Sequence, residues 1–209
     1  VMNLLARQSI KNSIINYLGI VIGILSTLFI YPLNWELYGQ IQFWIASATL
    51  LTPILRFGST ALLNKFYPHF KSENIPGFLT LVIVITLTTI FCSTLILFVI
   101  NALFSNQIDT YISKYLKEIR IIYPIALLII LSSVFHFQAA NLKRIVVPDL
   151  INIIKQKAAI PLLILATVFL SLSNEKVGYF LLLTYSLGIF AHIIYIKSID
   201  GLDIKWINL

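Results

Sequence analysis

Residues Tyr38 to Pro68 read YGQIQFWIASATLLTPILRFGSTALLNKFYP, and the reading of this stretch decides the fold. An α-helix crosses about 30 Å of hydrocarbon with about 20 mostly apolar residues, and the apolar part of this segment is that long. Arg56 lies well inside it. Hydrocarbon offers no water to a guanidinium, and an arginine at the centre of a span costs about 2.5–3.5 kcal/mol on insertion scales. The segment therefore reads as a membrane span carrying a charge that must face something polar.

The rest of the chain has the same character. Of 209 residues, 59% are hydrophobic and 11% charged, against about 45–50% and about 25% in soluble domains. Such a chain cannot cover its own surface with polar groups, and it reads as an integral membrane protein. The net charge of +7 does not point to nucleic acid, because the basic residues are scattered among apolar segments and form no stripe. Cys92, the single cysteine, excludes an intramolecular disulfide, and no zinc-ligand spacing is present. The apolar run after Lys11 is too long for a signal-peptide core and has no A-x-A-like site after it.

Six stretches have the length of a span: about Asn12–Tyr31, Tyr38–Leu63, Gly77–Asn101, Ile119–Asn141, Val147–Leu172 and Val177–Ile196. A closed barrel would show alternating segments of about ten residues, so the expected fold is all-α, a six-helix transmembrane bundle over residues 1–198. Residues 199–209 are expected to be a connector along the inner face. With the N-terminus inside, the inner segments hold Arg7, Lys11, Lys65, Lys71, Lys143, Arg144, Lys197 and Lys205, and the outer ones only Lys114, Lys117, Arg120 and Lys176. That bias favours cytoplasmic N- and C-termini.

Polar residues inside the spans fall on faces. Asn12, Asn16, Gly19, Gly23 and Ser26 form a small, polar stripe, in which Gly19 and Gly23 allow close helix approach. Thr49, Thr52, Arg56 and Ser59 share a face of the second span, and Asp149, Asn152, Lys155 and Gln156 share one of the fifth. The fourth span offers Ser133, His136 and Ala140, and the sixth Tyr185, Gly188, His192 and Tyr195. The third has only Thr86, Thr89 and Ser93, which can bond their own backbone. Arg56, His136, Lys155 and His192 each lie about five residues to the inner side of their span's centre, roughly 7–8 Å at 1.5 Å per residue. Asn16 falls at a similar level. These groups predict a wet cavity, with Lys157 pointing away from Lys155 toward the headgroups. No nucleophile–base arrangement, carboxylate pair or phosphate-binding glycine loop is present, so no enzymatic activity, catalytic residue, metal or cofactor is expected. Asp149 sits at the inner edge of its span, and the near absence of other acids inside the spans argues for an anionic rather than a cationic substrate.

Three stretches carry a family resemblance: SIINYLGIVIGILSTLFIYPL in the first span, YGQIQFWIASATLLTPILRFGSTALLNKFYPHF, and NLKRIVVPDLINIIKQK between the fourth and fifth spans. The chain resembles the N-terminal half of bacterial polysaccharide or oligosaccharide flippases of the MATE-like exporter superfamily. The resemblance implies two six-helix lobes around a cavity of alternating access, and a substrate of undecaprenyl-pyrophosphate-linked saccharide moved across the bacterial inner membrane. This chain would then be one lobe, either part of a longer chain or paired with another copy. On that reading Arg56 and Lys155 attract the pyrophosphate, and Asn16, Asn152 and Gln156 bond saccharide with His136 and His192 beside them. The expected partners are lipid-linked saccharide, membrane lipid and a second lobe, without nucleic acid. The competing readings are a multidrug or cation exporter lobe, a membrane-embedded enzyme of saccharide assembly, and a non-catalytic scaffold.

Overall fold

Long apolar stretches without water partners for their backbone must satisfy their own N–H and C=O groups, and helices do so within one segment. In the computed structural model, which describes residues 4–73, 77–104, 110–170 and 172–199, every regular element is helical. The α-helices are α1 (Leu4–Leu25), α2 (Trp35–Arg56), α3 (Ser59–Ser72), α4 (Phe78–Phe104), α5 (Thr110–Asn141), α6 (Val146–Ile153), α7 (Ala159–Leu170) and α8 (Asn174–Ser198). Among the described residues, five stretches are long and apolar enough to cross a membrane: Ala6–Arg56, Phe78–Ile100, Glu118–Asn141, Val146–Leu170 and Lys176–Ser198. Large apolar side chains stand exposed along these helices, among them Leu50, Phe91, Phe98, Phe169 and Ile194. Patches of that extent are stable against lipid, not water. The chain is a multi-pass helical membrane protein.

The count of separate spans differs from the expected six, and proline explains why. The first span was expected to stop at Pro32, but the chain stays helical through a wide π turn (Ser26–Ile30) and a 3₁₀ turn (Tyr31–Asn34) into α2. The resulting stretch of 51 residues is about 76 Å long at 1.5 Å per residue, enough for two crossings. Asn34 Oδ1 accepts the Leu37 amide at 3.1 Å and caps the start of α2. The second expected span, Tyr38–Leu63, is interrupted. Phe57 (φ 48°) and Gly58 (φ 79°) both take left-handed backbone between α2 and α3.

The fifth expected span, Val147–Leu172, is not uniform either. Pro148 lies in the first turn of α6, where its missing N–H costs nothing. Pro161 lies deeper, in α7, and a second π turn (Ile154–Ala158) precedes it. A proline ring clashes with the carbonyl four residues earlier. For Pro32 and Pro161 those carbonyls belong to Leu28 and Lys157, each inside a π turn. There the Tyr31 amide reaches Ser26 O and the Ala159 amide reaches Ile154 O, the i→i+5 bonds of the wide turn. The expected outer connector, about Ala102–Glu118, is mostly taken up by α4 and α5, and residues 105–109 lie outside the described residues. So do residues 200–209 of the expected inner-face tail.

The chain divides into two compact units. In the first, the residues up to Phe43 join those from Phe135 onward. Here α1 packs on α6 and on the second π turn, and α8 packs on α6 and α7. A Cβ at Gly19 would lie 2.9 Å from Ile153 Cγ2, so this glycine is where α1 meets α6. In the second unit, Trp44–Val134, α3 packs on α4 with Leu63, Phe78 and Val82 buried. Trp44 Nε1 donates to Glu118, and the Tyr123 hydroxyl shares hydrogen bonds with Ser93 (2.9 Å) and Thr94 (2.8 Å). Thr86, Thr89 and Ser93 bond carbonyls of their own helix, as expected of hydroxyls in a span.

Candidate functional site

The sequence Lys155-Gln156-Lys157 puts three polar residues side by side in the middle of an apolar segment, and the second π turn sends them to different places. Lys155 is buried, with 5% of its surface exposed. Its Nζ lies 5.5 Å from the centroid of the Tyr185 ring, within range of a cation–π contact. Its stem crosses Gly188 so closely that a Cβ there would overlap Lys155 Cδ and lie 3.1 Å from Cε. Gly188 is a notch in α8 that the lysine fills.

One turn along α8, the His192 Nδ1–H donates to the Gly188 carbonyl at 2.7 Å. His192 is fully buried, and its Nε2 has no hydrogen-bond partner among the described residues. The His136 ring stands 6.5 Å from it, centroid to centroid. His136 Nε2 in turn bonds Asp149 Oδ1 at 2.7 Å. That contact joins α5 to α6 across a short turn in which Lys143 takes φ 58° and the Arg144 amide returns to Ala139 O. His136, Asp149, Lys155, Tyr185 and His192 thus form one polar centre in the first unit. No group of three or more His, Cys, Asp or Glu side chains among the described residues could hold a metal ion. Ser133, the hydroxyl on the same helix as His136, bonds Ile130 O at 2.6 Å.

Gln156 and Lys157 are exposed and line an open groove of about 400 Å³. Lys157 runs along Gly23 of α1, where a Cβ would meet its Cδ at 3.8 Å. Thr27 and Leu28 of the first π turn line the same groove, so both proline-induced turns open into it. Tyr31 and Tyr38 complete a wall, their rings stacked with centroids 4.0 Å apart and 17° between planes, and Gln42 adds a second amide. The groove therefore combines one cation, two amides, the Thr27 hydroxyl and a pair of aromatic rings with Ile20, Ile24 and Leu28.

The expected site residues are distributed as follows. Lys155, His136 and His192 meet in the buried centre, and Gln156 lies in the groove. The expected common face of Asp149, Asn152, Lys155 and Gln156 is split: Lys155 is buried while its chain neighbour Gln156, about 100° further round the helix, lines the groove. Asn152 is half-buried beside the Ile153 contact with Gly19. Asn16 is exposed on α1, its Nδ2 donating to Asn12 O at 3.0 Å. Arg56 belongs to the other unit, at the end of α2, where Nη1 donates to Thr60 Oγ1 at 3.1 Å. Pattern reading set Lys157 aside and passed over Tyr31, Tyr38 and Gln42. The available signal was the proline four residues after Lys157, matched by Pro32 four residues after Leu28. No family model matches the sequence, and no curated protein or solved structure matches it either.

Proposed function

We propose that this chain is one lobe of a bacterial inner-membrane transporter that moves a lipid-linked, phosphate-bearing saccharide by alternating access, with its termini cytoplasmic. The groove of Lys157, Gln156, Gln42 and the Tyr31–Tyr38 pair carries this reading. Intramembrane cations are costly and mark substrate paths. Binding sites fix orientation with a few polar groups on an apolar and aromatic lining. A lysine supplies a point charge for phosphate, the amides offer both donors and acceptors to sugar hydroxyls, and the half-buried Tyr38 ring, backed by the buried Tyr31, offers an apolar surface to a pyranose. The resemblance of the sequence to flippase N-terminal halves agrees with this chemistry, and the facing half of the cavity would come from a second lobe.

The cation-exporter alternative needs a carboxylate open to the substrate. Asp149 is bonded to His136, and no Asp or Glu lines the groove among the described residues. On this reading Lys157, rather than Arg56 or Lys155, faces the phosphate, Gln156 and Gln42, rather than Asn16 and Asn152, face the saccharide, and Lys155 acts from behind by holding the π turn against α8.

The test is flipping of a fluorescent lipid-linked saccharide in proteoliposomes holding both lobes. Lys157→Ala and Gln156→Ala are each expected to lower the rate about tenfold, equivalent to about 1.4 kcal/mol. Wild-type rates in both variants would remove the groove from the mechanism.

A further inference from the structure

Arg56 is not among the groups of the polar groove, and it belongs to a feature of its own. The left-handed pair Phe57–Gly58 breaks the helical ladder between α2 and α3, and both residues are exposed. The break lies at membrane depth. Phe70 stacks on Phe78 at 4.2 Å, where the apolar stretch of α4 begins, and α3 packs along α4 with Ser59, Thr60 and Leu63 buried. The stretch from Phe70 back to Gly58 is about 18 Å long at 1.5 Å per residue, more than half of a hydrocarbon layer of about 30 Å. Irregular backbone is tolerated at that depth only where protein buries it or a polar space adjoins it.

Donors gather at this break. Gly58 has no side chain to cap α3, and the first turn of α3 holds no acidic residue. The Leu62 amide reaches the Gly58 carbonyl at 2.9 Å, which leaves the amides of Ser59, Thr60 and Ala61 without an acceptor inside α3. Ser59 is 1% exposed and its hydroxyl has no partner among the described residues. As the first residue of α3 it points its Cα–Cβ bond back toward the N-terminus, so the hydroxyl stands beside those amides. Arg56 Nη1 donates to Thr60 Oγ1 at 3.1 Å, and this bond holds the guanidinium at the same first turn. Its Nε is buried without an acceptor, and no carboxylate among the described residues pairs with it.

A cation suits the C-terminus of α2, but the N-terminus of α3 carries the positive end of its dipole and favours an anion. Guanidinium, hydroxyl and uncapped amides meet there with no negative charge among them. The space over Gly58 is open, with no atom within 4 Å of a Cβ built on it. We propose that the α2–α3 break is an oxyanion site for a phosphate group, held by Arg56, the Ser59 hydroxyl and the first amides of α3. Donors from three kinds of group exceed what the two oxygens of a carboxylate can use, and the guanidinium fork fits two phosphate oxygens at once. The site lies in the second unit and shares no residue with the polar groove, so it is independent of the transport reading.

The chain is held in dodecyl maltoside micelles, and its unfolding midpoint is followed as inorganic phosphate replaces chloride at constant ionic strength. An anion that binds the folded state raises the midpoint by mass action. The rise is expected in the unsubstituted chain and is expected to vanish in Arg56→Gln. Ser59→Ala should need about tenfold more phosphate for half the rise, the worth of one hydrogen bond to a charged group. Dodecyl phosphate, added as a minor micelle component, presents the same group as an ester anchored in the membrane. An Arg56-dependent rise with either probe supports the site, and the more effective probe identifies the source of the phosphate. Phosphorus NMR reads the binding in the unsubstituted chain alone, as broadening of the phosphate signal that sulfate reverses and chloride does not. Equal midpoints in chloride and in both phosphate probes, or no broadening, would overturn the proposal. So would an equal rise in Arg56→Gln, which is the general stabilisation that phosphate salts give. Acetate acting as well as phosphate would assign the break to carboxylates and overturn it too.

Discussion

Lys155 lies across Gly188 of α8 so closely that any Cβ at position 188 would overlap its stem. This contact ties the second π turn to α8 and places the ammonium beside the Tyr185 ring. It also explains how a lysine is tolerated at 5% exposure in an apolar segment. The methylenes fill a notch shaped by the absence of a side chain, and the charge rests on an aromatic face.

Gly188→Ala is therefore expected to destabilise the protein by about 1–3 kcal/mol, the usual cost of overpacking. The added methyl meets the middle of the lysine stem, so relief requires Nζ to leave Tyr185. In the Lys155→Ala background the same substitution has room and costs much less. A double-mutant cycle of thermal unfolding in detergent reads the difference as a coupling energy. Additive effects would mean that the stem adjusts freely.

The His136–Asp149 hydrogen bond joins two helices with each partner about a quarter exposed, 26% and 25%. His136→Ala or Asp149→Asn alone leaves a half-buried polar group without its partner, at a cost of about 1–3 kcal/mol. Replacing both with residues of similar shape, His136→Phe with Asp149→Leu, is expected to recover most of that loss. Unfolding midpoints of the three variants decide it, and a double variant weaker than either single one would show that the pair does more than satisfy itself.

Phe57 and Gly58 both have positive φ, but only the glycine suits it. Nothing lies within 4 Å of a Cβ built on Gly58, so Gly58→Ala carries a backbone penalty alone, about 1–2 kcal/mol. Phe57→Asn should be neutral or stabilising by a few tenths, because asparagine tolerates the left-handed region and the Phe57 ring is largely exposed. Opposite signs at adjacent positions, read as shifts in midpoint temperature, are the expected outcome.

Much of the architecture was legible in composition. The apolar runs became helices near the expected places, and the Gly19 packing contact could be read from small-residue spacing. Other features were hidden for physical reasons. A pattern reading assumes 3.6 residues per turn throughout, and each π turn breaks that period. Lys155 and Gln156, adjacent and about 100° apart on any helix, were assigned to one face when the structure buries the first and exposes the second. The His136–Asp149 pair spans thirteen positions around a turn whose direction depends on the left-handed backbone of Lys143. Without that turn, neither residue points to the other. Arg56 was visible as a charge out of place, but its partner Thr60 lies on α3, beyond a left-handed break that the pattern reading ran straight through.

Pro161 offers the sharpest test of how the polar groove is made. Its ring excludes the normal position of the Lys157 carbonyl, and it has no N–H to donate to that carbonyl. The wide turn at Ile154–Ala158 accommodates both. Pro161→Ala restores a donor and removes the clash, so the turn can rewind as ordinary α-helix, turning Gln156 and Lys157 by up to about 100°, the rotation per residue of a helix. The protein should become more stable, by up to about 3 kcal/mol from helix propensity, while the groove loses its cation. With Cys92→Ser as background, Lys157→Cys reports on the groove through its alkylation by a water-soluble maleimide. The rate should fall several-fold when Pro161→Ala is added, and much less with Pro53→Ala, a proline whose helix carries no π turn. An unchanged rate together with raised stability would show that packing against α1 and α8, rather than the proline, holds the turn open.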